Sequence, residues 1–225
     1  MALAQFDAHY YWRQYRTINP GEFLVAGADC AAGGQDWCAT QFISKDKLDV
    51  PLVYHRQVVA SEMTTDLYPV LNKIADVTGL APVIAYERNN GGLFEMERLA
   101  ALNINGKFTV YKMRSAGQED NPDPKKYGWD TNTATRPKML SDLKEMVNKR
   151  LAQIYDEPTI NELYKFVVVK TSSSWKAQAE KGAHDDLVMA LAIAWQLYQS
   201  EEKPSGEREF MDQLPKQELF HGGFY

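Results

Sequence analysis

The 225-residue chain has only two cysteines, Cys30 and Cys38. With no histidine near them in sequence, they do not make a zinc site. A disulfide across what reads as a hairpin is one arrangement; free thiols in a reducing cytosol are the expectation. No run of 18 or more apolar residues exists, so no transmembrane helix is expected. Met1 to Asn19 scatters Asp7, Arg13 and Arg16 among aromatics. A secretory signal needs a basic start followed by an apolar block, and that is missing here. The pattern G-x-x-x-x-G-K-[ST] is also absent, and Gly91-Gly92 is no phosphate-loop signature. Positive charge is short as well. The net charge of −5 argues against a protein that coats nucleic acid.

What is present is ordinary globular composition in a length that can bury a full core. Charge is unevenly spread. Lys107 to Arg150 holds ten basic residues against six acids, a balance of +4, whereas Glu201 to Tyr225 carries three bases against six acids, or −3. A basic middle can meet phosphates while the whole chain stays acidic. A solvated charged surface explains the same composition.

Residues 1–22 read as a helical or irregular lead-in broken at Pro20-Gly21. Residues 23–200 read as one domain and 201–225 as a flexible polar tail. Strands are expected at Glu22–Ala28, Asp36–Ser44 and Leu52–Val59, with polar turns between them, which is an antiparallel meander. Leu67, Val70, Leu71 and Ile74 recur at helical spacing in Thr64–Thr78, and Gly79 stops that helix. Val83–Glu87 is a fourth strand, Leu93–Leu102 a helix and Phe108–Lys112 a fifth strand. A long polar loop spans Ser115–Thr133, and loops of that length are usually functional or disordered. Thr135 can cap a helix running to about Ile154, with Pro137 in its first turn. A short helix at Thr159–Tyr164 and a strand-like Phe166–Lys170 follow. Lys181–Gln199 is a last helix, apolar on nearly every face from Leu187 to Leu197 and therefore buried. This order is that of an α/β, ribonuclease H-like fold: a mixed five-stranded sheet, three antiparallel strands and then parallel additions, flanked by helices.

Carboxylates stand where these elements end. Asp29 follows an apolar strand and Glu87 follows another, while Asp185 and Asp186 open the last helix. In the expected fold the first and fourth strands lie side by side, so these acids meet at one sheet edge. Divalent hard cations take oxygen ligands from such carboxylates. Each acid also has a plainer reading. Asp29 and Asp36 suit turns. Glu87 can pair with Arg88. One of Asp185 and Asp186 can cap its helix; a second charge beside a buried helix is costly unless compensated. His184 alone is more often a structural or surface histidine, with an accessory role in ligation or proton transfer as the lesser reading.

Three stretches, "GADCAAGGQD", "AYERNNGG" and "GAHDDLVMALAIAW", together resemble the nuclease domain of the large terminase subunit of tailed bacteriophages. Gly128 to Leu140 is similar to the family's segment between the fifth strand and the next helix. The resemblance covers roughly Phe23 to Tyr198. It implies an endonuclease that cuts concatemeric viral DNA during packaging in the host cell cytoplasm. It implies two divalent ions, Mg²⁺ or Mn²⁺, held by Asp29, Glu87, Asp185 and Asp186. Double-stranded DNA would lie against basic residues such as Lys112, Arg114, Lys125, Lys126, Arg136 and Lys138. The terminase ATPase domain, the small terminase subunit and the portal protein are the implied partners. Whole large terminases carry an N-terminal packaging ATPase, whereas this chain starts just before the nuclease. An excised domain or a separate polypeptide without ATPase activity is expected.

Other readings remain open on sequence. A Holliday-junction resolvase shares the fold and the acids. A proofreading-type exonuclease usually has a second acid two residues after the first, where this chain has Ala31. A transposase would join strands as well as cut them. A docking module could engage the portal or motor through the acidic tail and its aromatic end, Leu219 to Tyr225.

Overall fold

The computed structural model describes residues 11–30, 36–113, 127–170, 175–179 and 184–204. The expected loop is therefore described only from Tyr127 onward. Arg114, Lys125, Lys126 and the tail beyond Pro204 lie outside the described residues.

In chain order the elements are β1 (Trp12–Gln14), β2 (Leu24–Asp29), β3 (Trp37–Ser44), β4 (Asp49–Gln57), α1 (Ala60–Thr78), β5 (Val83–Tyr86), α2 (Gly92–Leu102) and β6 (Thr109–Val110). They continue with α3 (Thr135–Asn148), β7 (Gln153–Ile154), α4 (Glu157–Lys165), β8 (Phe166–Lys170), β9 (Trp175–Ala179) and α5 (Asp186–Ser200). The main sheet is mixed, in the order β1-β4-β3-β2-β5-β6, with β7 added beside β4. The meander β2-β3-β4 is antiparallel, and β5 and β6 join it in parallel.

Strand β2 is buried at all six positions because both faces of the sheet are covered. Its side chains alternate between two cores, as the period of a strand requires. Leu24, Ala26 and Ala28 pack with the α1 and α2 side, including Leu67, Leu71 and Met96. Val25 packs with α3 and α5, including Met139, Leu191 and Ile193. Helix α5 is buried from Leu187 through Leu197, which fits its nearly all-apolar sequence. It approaches β2 so closely that a Cβ on Gly27 would stand 2.2 Å from the Ala194 amide nitrogen.

The sheet is wider than the five strands expected. Strand β1 forms within the stretch read as a lead-in, pairing Trp12–Gln14 with Leu52–Tyr54. Three residues are too few to show an alternating pattern, and the strand is fixed by long-range contact, with Trp12 edge-on to Tyr54 at 4.9 Å between ring centroids. Helix α3 ends at Asn148 rather than near Ile154. The left-handed backbone of Arg150 (φ 52°) turns the chain there, and Gln153–Ile154 becomes β7 against β4. Thr135 does not cap α3. The N-cap residue is Ala134, without a side-chain cap, and just before it Asn132 Oδ1 accepts from the Ala134 and Thr135 amides at 2.9 and 3.0 Å. Phe166–Lys170 pairs with β9 in a separate two-stranded hairpin. Helix α5 starts at Asp186, not Lys181. Cys30 and Cys38 are buried thiols, not a disulfide. Among the described residues no helix is long and apolar enough to cross a membrane.

Candidate active site

Parallel pairing puts Ala28 opposite Tyr86, so the next residues, Asp29 as the last of β2 and Glu87 just past β5, stand side by side at one edge of the sheet. The Glu87 amide donates to Ala28 O at 2.8 Å, and a bridge to Trp129 holds the other side of its backbone. Directly after it the chain turns so tightly that a Cβ on Gly92 would fall 1.8 Å from Glu87 O. Gly128, at φ +81°, lets the Trp129 segment come against Tyr86, because a side chain there would meet Tyr86 O at 2.7 Å. Helix α5 arrives from the opposite direction in sequence. Its docking over Gly27 brings its first turn, with Asp185 as N-cap residue and Asp186 beside it, to the same edge.

A cavity of about 600 Å³ opens there, walled by Asp29, Glu87, Asp185 and Asp186 together with Asp36, Asn89, Asn90 and Arg136. Asp29 and Glu87 are each only 8% exposed. Burial, then the charge of Glu87 and a hydrogen bond shared with it, push the Asp29 carboxyl well above the usual range. Burial also raises Asp186 to about 6; nearby His184 opposes the shift and Asp185 reinforces it. Arg136 is the single cationic side chain on the wall among the described residues, 3.6 Å from Asp185 Oδ2. Buried acids that repel one another, with so little positive charge supplied by the protein, make a site with the donor chemistry of a hard divalent cation. Asp29, Glu87, Asp185 and Asp186 could hold such ions through oxygen alone.

The other sequence-derived residues are distributed differently. Lys138 pairs with Asp142 on its own helix at 2.7 Å. Lys112 lies over the Tyr127 ring at 4.8 Å. His184 is exposed, with Nδ1 3.6 Å from Asp186 Oδ2. Three residues near the acids escaped the sequence reading. Asp36, read as a turn residue, lines the cavity. Glu162 of α4 accepts from the Leu187 and Val188 amides at 2.9 and 3.3 Å and so closes the N-terminus of α5. Burial and then the charge of Asp186 raise its carboxyl to about 7. His55 of β4 packs against Trp37, the rings tilted and 4.4 Å between centroids, and burial followed by the charge of Arg13 lowers its imidazole to about 4. One acid on a short amphipathic helix and one histidine in a strand carry no sequence pattern that marks them.

No protein-family model matches the sequence, and no curated protein matches it. Solved structures do. The large terminase nuclease from thermophilic phage G20c, with bound cobalt, superposes with TM-score 0.61 at 19% identity, over 84% of this chain and 89% of that chain. The large terminase nuclease domain of Thermus phage P74-26 gives TM-score 0.58 at 16% identity, over 86% and 87%. The human cytomegalovirus terminase nuclease domain, manganese-soaked, gives 0.51 at 12% identity, over 86% and 87%. The chain thus has the ribonuclease H-like fold of large terminase nuclease domains.

Proposed function

We propose that this chain is a divalent-metal-dependent DNA endonuclease that cuts concatemeric viral DNA during genome packaging, as the nuclease part of a large terminase. The observation that carries the reading is the convergence of Asp29, Glu87, Asp185 and Asp186 on one cavity from three distant parts of the sequence. The fold likeness to terminase nucleases, including structures with bound cobalt or soaked with manganese, supports it. Two ions, Mg²⁺ or Mn²⁺, are proposed. Asp29, central in the cluster, would ligate both; Glu87 would complete one position and Asp185 with Asp186 the other. Bound there, the ions supply Lewis acidity, giving a water of lowered pKa and charge stabilisation at the leaving 3′ oxygen.

The protein's own groups orient and restrain. The Asn89 side-chain amide donates to Glu87 Oε1 at 3.2 Å and fixes that carboxylate. Arg136, at the wall beside Asp185, offers a planar fork suited to a phosphate oxygen. Contacts of that kind hold the DNA backbone without reading sequence and weaken with salt. The packaging ATPase, the small terminase subunit and the portal protein are the proposed partners, in the cytoplasm of an infected bacterium.

Supercoiled plasmid incubated with Mg²⁺, Mn²⁺ or EDTA tests the reading. Nicking and linearisation should require the metal and fall by at least about 10³-fold in Asp29→Asn and Asp186→Asn, matching the several kcal/mol such ions contribute. Undiminished cleavage by both folded variants would overturn it.

A further inference from the structure

The residues that come closest to a single-ion geometry are not the four cavity acids. One ligand atom from each of His55, Glu162 and Asp186 lies within 4.8 Å of the other two. Three ligands of one tetrahedral zinc-like ion stand about 3.4 Å from one another, so closure onto an ion takes side-chain shifts of roughly an ångström. The three come from β4, α4 and α5, elements fixed by the core. Glu162 spends Oε2 on the Leu187 and Val188 amides, which anchors the carboxylate and leaves its second oxygen for another partner. His55 has its ring held against Trp37, and its Nε2 is buried with no hydrogen-bond partner. Buried polar atoms are nearly always partnered, so an unpartnered nitrogen on an imidazole that clusters with two carboxylates suits a cation.

We propose that His55, Glu162 and Asp186 form a separate transition-metal site that takes Zn²⁺ through one imidazole nitrogen and two carboxylate oxygens. The donor set distinguishes it from the all-oxygen cavity, because imidazole favours zinc-like ions and carboxylates alone suit magnesium. Asp186 belongs to both. Its second role rests on the nuclease reading, whereas zinc binding by the three residues does not.

Zinc binding is measured by equilibrium dialysis on the full chain carrying Asp29→Asn, which impairs the cavity cluster and spares this one. Binding should persist with Mg²⁺ in excess. Adding His55→Ala or Glu162→Gln should weaken it at least tenfold, since loss of an outer-shell partner alone costs about 10–100-fold. On the unmutated chain, Zn²⁺ should shift the NMR signals of the His55 ring and Mg²⁺ should not. His55 signals unmoved by saturating Zn²⁺ overturn the proposal, whether or not the variants fold. Zinc binding intact with no plasmid cleavage would defeat only the nuclease reading; cleavage intact with no His55 response would defeat only this one.

Discussion

Two sets of acids stand around this sheet and are treated in opposite ways. Glu22, Asp49 and Asp156 face arginines. Arg16 bridges Glu22 and Asp49 at 2.5 Å each, and Arg13 holds Asp156 at 2.5 and 3.1 Å. Burial pushes the Glu22 and Asp156 carboxyls up, but the arginine hydrogen bonds, joined by the Asn19 amide for one and by Thr159 and Tyr15 for the other, bring both below the usual range. Asp29, Asp186 and Glu162 sit among other carboxylates and are raised. The contrast separates acids that stabilise the fold from acids that cost it stability. Charges the protein leaves poorly compensated are the ones positioned for an external cation.

Breaking the first set should have the largest effect on stability. Asp156→Asn leaves Arg13 without its partner and should cost about 3–5 kcal/mol in urea unfolding. The same variant tests pH dependence. A carboxyl held below its unfolded value of 3.8 contributes stability that is present above that value and is lost as pH falls through the folded one. Wild type should therefore lose this increment on acidification below about pH 4, and Asp156→Asn should lack that part of the loss.

Supplying the second set with its cation should have a smaller effect of opposite sign. Mg²⁺ or Mn²⁺ at a hundredfold excess over Kd should stabilise wild type by about 2.7 kcal/mol, reversibly with EDTA. Asp29→Asn removes a carboxyl whose ionisation is costly in this site, while its amide can still donate to Glu87. It should melt higher than wild type without metal and respond less to metal, the reverse of Asp156→Asn. Calorimetric scans of both variants with and without metal decide it. A last effect, of comparable size, is expected between the two sets, at Gly27. A methyl there meets the α5 backbone, so Gly27→Ala should cost about 1–3 kcal/mol. By displacing the first turn of α5 it should also reduce plasmid cleavage at temperatures where the variant remains folded.

Much of the second set was legible in the sequence. Acids after the apolar strands ending at Ala28 and Tyr86, and the paired acids opening an apolar helix, are local patterns, and the strand order dictates that they converge. The first set was not legible. Arg13 and Arg16 lie in a stretch with no strand pattern, and their partners at positions 22, 49 and 156 are defined only by the folded sheet. The same reason hid β1 and β7, short edge strands whose existence depends on β4. Gly27 reads as one more small residue until a helix from the far end of the chain is laid across it. His55 and Glu162 became neighbours only through α4 packing beneath α5.

The parallel register of β2 and β5 makes the cavity a matter of counting. Ala28 stands opposite Tyr86, and successive side chains on a strand point to opposite faces. Losing or gaining one residue within Val83–Tyr86 would carry Glu87 to the other side of the sheet without changing any residue's chemistry. Length in this strand is thus under stricter constraint than identity, and an engineered insertion there would remove a ligand as surely as a substitution.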